Sequence, residues 1–147
     1  SGTLPVPLCV GIGAAATLCR GESADEERMS LRERTQDFVS ALEELKWPIS
    51  VNGPPIEVRH PGNASIEFKG FDAKEILGTL QPNLAASTGS ACTSGIEEPS
   101  HVLTAIGLTR EQADASIRFS LGRDTTQRNL QDAVVLIDNA LENLYGV

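Results

Sequence analysis

The sequence predicts an α+β fold: a small, mostly antiparallel sheet packed against helices, with long N-terminal helices and a long C-terminal helix. Three observations carry this expectation. Stripes of apolar residues stepping by three and four run through Leu31, Phe38, Leu42 and Leu45, with Thr35 filling the gap, and again through Leu130, Val134, Ile137, Leu141 and Leu144. Between these stripes, short segments alternate in period two. Turn clusters separate the segments, as they do in antiparallel strands.

Taken in order, residues 5–21 are small and apolar and suit a closely packed helix that begins after Pro5 or Pro7 and stops near Gly21. Ser23-Ala-Asp-Glu26 has the form of a capping box and should open the next helix, which Trp47-Pro48 closes. Ile49-Ser-Val51, Ile56-Glu-Val58 and Ala64-Ser-Ile-Glu-Phe68 read as strands, parted by Asn52-Gly-Pro-Pro55 and Pro61-Gly-Asn63. Asp72-Ala-Lys-Glu75 is a second capping box, for a short helix with Ile76, Leu77 and Leu80 inward and Pro82 at its end. Residues 83–98 are small and hydroxyl-rich and read as a loop after a short strand. A short helix follows from Pro99 to Ile106, and Thr109-Arg-Glu-Gln112 caps another. Ser116–Leu121 alternates as a strand, and Asp124 or Thr125 should cap the final helix.

Composition narrows the function classes. The 147 residues carry a formal charge of −8 and are 40% hydrophobic, enough for one domain with a core. An acidic balance argues against a nucleic-acid partner, which needs clustered Lys and Arg. No apolar run reaches the roughly 18–20 residues of a membrane span. The stretch from Leu4 to Cys19 is broken by Pro and Gly and lacks a basic leader, so no signal peptide is expected. Three cysteines do not make a disulfide framework, which points to a reducing, cytoplasmic setting. His60 and His101 form no ligand spacing with a cysteine, so no metal site is expected. The chain opens on Ser1-Gly2 without Met and reads as a piece of something longer or as a tag remnant joined to a domain.

Three places carry candidate chemistry. Gly11-Ile-Gly-Ala-Ala-Ala16 matches a dinucleotide-binding pattern, but no strand can precede it and no acidic residue ends a second strand, so close helix packing is the reading. Cys92 stands among small polar residues in Ser87-Thr-Gly-Ser-Ala-Cys-Thr-Ser-Gly95, a setting that suits a reactive, exposed thiol. Cys9 and Cys19 lie in apolar runs and are expected to be buried and structural. Arg118 lies on the strand face opposite Ile117 and Phe119, with Ser116 and Ser120. If that face is core, the guanidinium needs an anion; if it is solvent, Arg118 is a surface residue. Arg123 falls in the following turn and is expected to cap or to be exposed.

Ser-x-Gly-Ser-Ala-Cys-x-Ser-Gly, followed about twenty-five residues later by Ile117-Arg-Phe-Ser-Leu-Gly-Arg-x-Thr-Thr126, resembles the C-terminal part of the cysteine desulfurases. These are pyridoxal-phosphate enzymes of the NifS/IscS-like group, in the class V aminotransferase superfamily. Ser1-Gly-Thr-Leu-Pro-Val-Pro7 and Pro61-Gly-Asn63 with Ile66-x-Phe68 are similar to further segments of that group. The resemblance implies the small domain of a fold type I enzyme over residues 22–147, with residues 1–21 joining it to a large domain. It implies that Cys92 takes sulfur from L-cysteine as a persulfide, leaving L-alanine, and that Arg118 grips the substrate carboxylate. It implies that Thr3 touches the cofactor phosphate across a homodimer. A sulfur-acceptor or scaffold protein is the implied partner, with iron–sulfur cluster assembly as one use.

The resemblance also marks what is missing. The group's cofactor lysine, stacking histidine and pyridine-nitrogen aspartate have no counterparts here, and Lys46, Lys69 and Lys74 lack the His-Lys context. No pyridoxal phosphate is expected on this chain alone, and the chain alone should be inactive. Two other readings stay open: a free-standing sulfur carrier working with a separate cofactor subunit, and a selenocysteine lyase-like enzyme.

Overall fold

The computed structural model describes residues 2–88 and 99–146. Ten elements follow one another in the order the sequence suggests, except that two of the expected short strands are not formed as such. Helix α1 spans Val6–Leu18 and begins directly behind Pro5, whose fixed φ and missing N–H suit a helix entry. Every residue of α1 is exposed: Leu8 keeps 71% of its surface and Ile12 76%. Cys9 and Cys19 are therefore exposed as well, against the expectation from their apolar neighbours. Apolar composition does not bury a helix that has no packing partner, and α1 is apolar on all sides rather than on one.

Helix α2 (Glu22–Glu43) starts ahead of the predicted capping box. Gly21 takes a φ of 98°, and its carbonyl already accepts from the Ala24 and Asp25 N–H groups, at 3.1 and 3.3 Å. Ser23 is thereby drawn into the first turn and caps nothing. The stripe holds: Leu31, Thr35, Phe38 and Leu42 are buried. Thr35 satisfies its buried hydroxyl by donating to the Leu31 carbonyl at 2.9 Å.

Strand β1 (Ile49–Val51) pairs antiparallel with β2 (Asn63–Phe68), which pairs antiparallel with β3 (Ser116–Ser120). The segment Ile56–Val58 is one 3₁₀ turn, not a strand. Pro54 and Pro55 bring no N–H to a ladder, and Val58 N–H closes back on the Pro55 carbonyl at 3.1 Å. One sheet face is apolar, with Ala64, Ile66, Phe68, Ile117 and Phe119 buried. The other carries Asn63, Ser65, Glu67, Ser116, Arg118 and Ser120.

Helices α3 (Ala73–Leu80) and α6 (Gln127–Tyr145) pack on each other, and α6 also packs on α2. Ile76, Leu80, Ile137 and Leu141 join Leu42, Phe38 and the apolar sheet face in one core. Phe119 meets Phe38 edge-on at 5.3 Å and Phe68 at 6.4 Å, a geometry that aromatic quadrupoles favour. Trp47 covers one end of this core and donates Nε1–H to Asp138 at 2.7 Å. Asp72 caps α3 by accepting from Lys74 N–H at 2.7 Å. The cap of α6 is Thr126, in a reciprocal box with Asn129, rather than Asp124 or Thr125. The Thr125 hydroxyl is already committed to the preceding turn, accepting from Gly122 N–H at 2.9 Å.

Two short helices, α4 (His101–Ala105) and α5 (Arg110–Asp114), lead into β3. Thr109 and Gln112 make the predicted capping box at α5. Among the described residues, no helix is long and apolar enough to cross a membrane. The Gly11–Ala16 pattern lies inside α1, where no strand-to-helix turn exists to cradle a phosphate.

Candidate active site

Alternation along β3 settles the orientation of Arg118. Ile117 and Phe119 are buried, and Arg118 is exposed on the opposite face beside Ser65 of β2. On its other flank, Ser87 forms a bridge with it, so a one-residue strand edge takes the place of the short strand expected before the loop. Among the described residues the Arg118 guanidinium makes no hydrogen bond or ion pair with a side chain. By contrast Arg28, Arg110, Arg123 and Arg128 all meet carboxylates.

Arg118 lines a cavity of about 250 Å³ between the polar sheet face and α4. The sheet side is floored by Asn52, Ser65 and Ser116; Leu103 and Ile106 give an apolar wall. Thr88 and Ser100 line it too. In the sequence these two residues flank positions 89–98. Cys92 itself lies outside the described residues.

Asn52 is the organiser of this floor. It is buried, its N–H donates to the Ser65 carbonyl at 2.8 Å, and its Nδ2 donates to Ser116 Oγ at 2.9 Å. Ser116 Oγ in turn donates to the Gln112 carbonyl at 2.6 Å. The chain of bonds ties the ends of β1, β2, β3 and α5 together, and burial makes each bond costly to lose. Sequence reasoning saw Asn52 only as the first residue of a turn, and nothing in a single sequence separates a buried turn Asn from an exposed one. Arg59 was also missed. It follows the 3₁₀ turn, is half-buried, and reaches the same cavity. Burial pushes its guanidinium pKa down, with nearby Glu57 opposing more weakly.

The remaining candidates are not brought to this cavity. Thr3 is exposed ahead of α1 and does not line it. Lys46 pairs with Glu142 at 2.7 Å and lies 4.8 Å over the Trp47 ring. Lys69 and Lys74 are exposed, and none of the three lysines lines the cavity. Pyridoxal phosphate is held through an imine to an amine, so the residues described here do not make a cofactor site by themselves. Arg123 is exposed and bonds Glu27 at 3.0 Å, as its turn position suggested.

The described residues thus form an α+β domain that presents the Arg118 guanidinium, unpartnered among them, in a cavity on the polar face of its sheet. Residues 1–132 match the family described as Aminotransferase class-V. The chain belongs to the class V aminotransferase family, whose members are in general pyridoxal-phosphate enzymes. It is 41% identical over 146 residues to the cysteine desulfurase IscS of Aeromonas salmonicida (strain A449), covering 98% of this chain and 35% of that protein. It is 37% identical over 144 residues to the cysteine desulfurase IscS of Rickettsia bellii (strain OSU 85-389), covering 98% of this chain and 34% of that protein. A solved NifS-like protein from Rickettsia africae superposes with a TM-score of 0.75 at 27% identity, over 100% of this chain and 36% of that one. The chain thus spans about a third of the length of the curated relatives it matches.

Proposed function

We propose that this chain is the C-terminal part of a cysteine desulfurase, contributing the carboxylate clamp and the sulfur-accepting thiol. The observation that carries the reading is the Arg118 guanidinium, unpartnered among the described residues and lining a cavity that Thr88 and Ser100 also line. Likeness to cysteine desulfurases along 98% of the chain supports it. In this reading Arg118 holds the α-carboxylate of L-cysteine with its planar fork. Cys92 accepts the substrate sulfur as a persulfide, L-alanine is left, and the persulfide passes to an acceptor or scaffold protein.

Residues 22–147 form the small domain, and residues 1–21 join it to a large domain that holds pyridoxal phosphate. The fully exposed apolar surface of α1 supports that division. Thr3 would reach the cofactor phosphate of the other subunit in a homodimer in the cytoplasm. Because the described residues offer no amine at the cavity, no step through the cofactor is assigned to them.

The test is a fusion of this chain to the large domain of a desulfurase relative, assayed for alanine formation from L-cysteine. Activity that falls with Arg118→Ala and is abolished by Cys92→Ser is the expected result. An active fusion indifferent to both substitutions would overturn the reading.

A further inference from the structure

The cavity that Arg118 lines has a second guanidinium. Arg59 reaches it from the segment after the 3₁₀ turn, and no acidic side chain lines it among the described residues. That is an unusual enclosure in a chain whose formal charge is −8. Arg59 is fixed rather than free: Nε donates to the Pro54 carbonyl at 2.7 Å, and Nη2 donates to the same oxygen. Nη1 has no partner among the described residues. One edge of the fork is thus spent on holding its own loop, and the other remains for a ligand.

The rest of the lining matches a small ligand with charge at two ends. Asn63 and Ser65 offer hydrogen-bonding groups along the sheet floor, while Leu103 and Ile106 offer methylene-sized apolar contact. Two guanidinium groups lining one cavity both draw an anion, and a dianion can meet both at once. A monocarboxylate meets only one.

We propose that Arg59 is a second anion-binding residue of the Arg118 cavity, and that the cavity selects small dicarboxylates over monocarboxylates. This rests on the reading of Arg118 as a carboxylate clamp and adds to it a residue that sets specificity. Dicarboxylates of matching length are then competitors of the amino-acid substrate.

The test uses the 147-residue chain itself, labelled for NMR, and a series of malonate, succinate, glutarate and the monoanion butyrate at constant ionic strength. The expected result is perturbation of both Arg59 and Arg118 guanidinium resonances by one preferred dicarboxylate. It should bind about tenfold more tightly than butyrate, the scale of one added charge-assisted hydrogen bond. Arg59→Gln should abolish that preference, and Arg59→Lys should restore part of it. The wild-type resonances keep the test valid should Arg59→Gln fail to fold. Butyrate binding through Arg118 with no length preference, or with Arg59 unmoved, would overturn the proposal and leave the carboxylate clamp standing. Binding of none of the four acids would overturn both.

Discussion

Ser87 and Arg118 exchange a pair of backbone hydrogen bonds: Ser87 N–H donates to the Arg118 carbonyl at 3.1 Å, and Arg118 N–H donates to the Ser87 carbonyl at 2.6 Å. The strand that presents the guanidinium is therefore flanked on one side by β2 and on the other by the root of the segment that carries Cys92.

Ser87→Pro deletes one of these two bonds, since proline has no N–H to give. A loss of about 1 kcal/mol in stability is expected, the net worth of one backbone hydrogen bond. Hydrogen exchange at the Arg118 amide should accelerate by more than this global loss explains. Unchanged exchange at Arg118 would mean that the bridge does not hold in solution.

Gly62 sits where a side chain has no room. A Cβ there would stand 2.3 Å from the Leu121 carbonyl oxygen and 3.1 Å from Leu31 Cδ2. Leu121 N–H also donates to the Gly62 carbonyl at 2.8 Å, so the two backbones cannot part without losing that bond. Gly62→Ala should destabilise by about 1–3 kcal/mol, the usual range for overpacking. Chemical denaturation measures it, and a neutral result would show that the β2 and β3 ends separate freely.

Cys9 and Cys19 should both react with iodoacetamide in the folded chain as fast as in denaturant, because α1 buries none of its residues. In a fusion that carries the large domain, Cys9 should slow by at least about tenfold if α1 becomes covered, because reaction then waits on an opening equilibrium. Equal labelling in both would remove residues 1–21 from the proposed junction.

Arg118→Ala in the fused enzyme should cost about 2–4 kcal/mol in kcat/KM for L-cysteine, the scale of losing one partner of a charge-assisted pair. Arg118→Lys should recover only part of this, because a point charge does not reproduce a fork. Steady-state kinetics separates these outcomes from the null effect of a solvent-facing arginine.

The fold was legible wherever periodicity meets a single packed face. The stripes of α2 and α6, the alternation of β2 and β3 and the capping box at α5 all stand as read. The failures share a physical cause, competition from a neighbouring group. Ile56-Glu-Val58 alternates like a strand, yet two preceding prolines deny it a ladder. Ser23 and Thr125 have capping side chains, yet Gly21 starts its helix earlier and a turn claims the Thr125 hydroxyl. Cys9 and Cys19 sit in apolar sequence, yet burial depends on a partner surface that composition does not reveal.

At the site, period two alone put Arg118 on the face opposite Ile117 and Phe119; that this face is the exposed one came from the structure. The grouping of Arg118 with Asn52 and Arg59 did not follow from the sequence, because those residues come from turns more than fifty residues away along the chain. Tertiary contacts of that range leave no trace in a single sequence.

The central claim is that Cys92 is the sulfur acceptor and Arg118 the carboxylate clamp of one proposed enzyme. It is tested most directly by mass mapping of cysteine peptides after one turnover of the fused enzyme with L-cysteine. The account predicts one added sulfur atom on the Cys92 peptide, removed by reductant and diminished by Arg118→Ala at limiting cysteine. Added sulfur on the Cys9 or Cys19 peptide in its place, or alanine formed with no persulfide at Cys92, would contradict it.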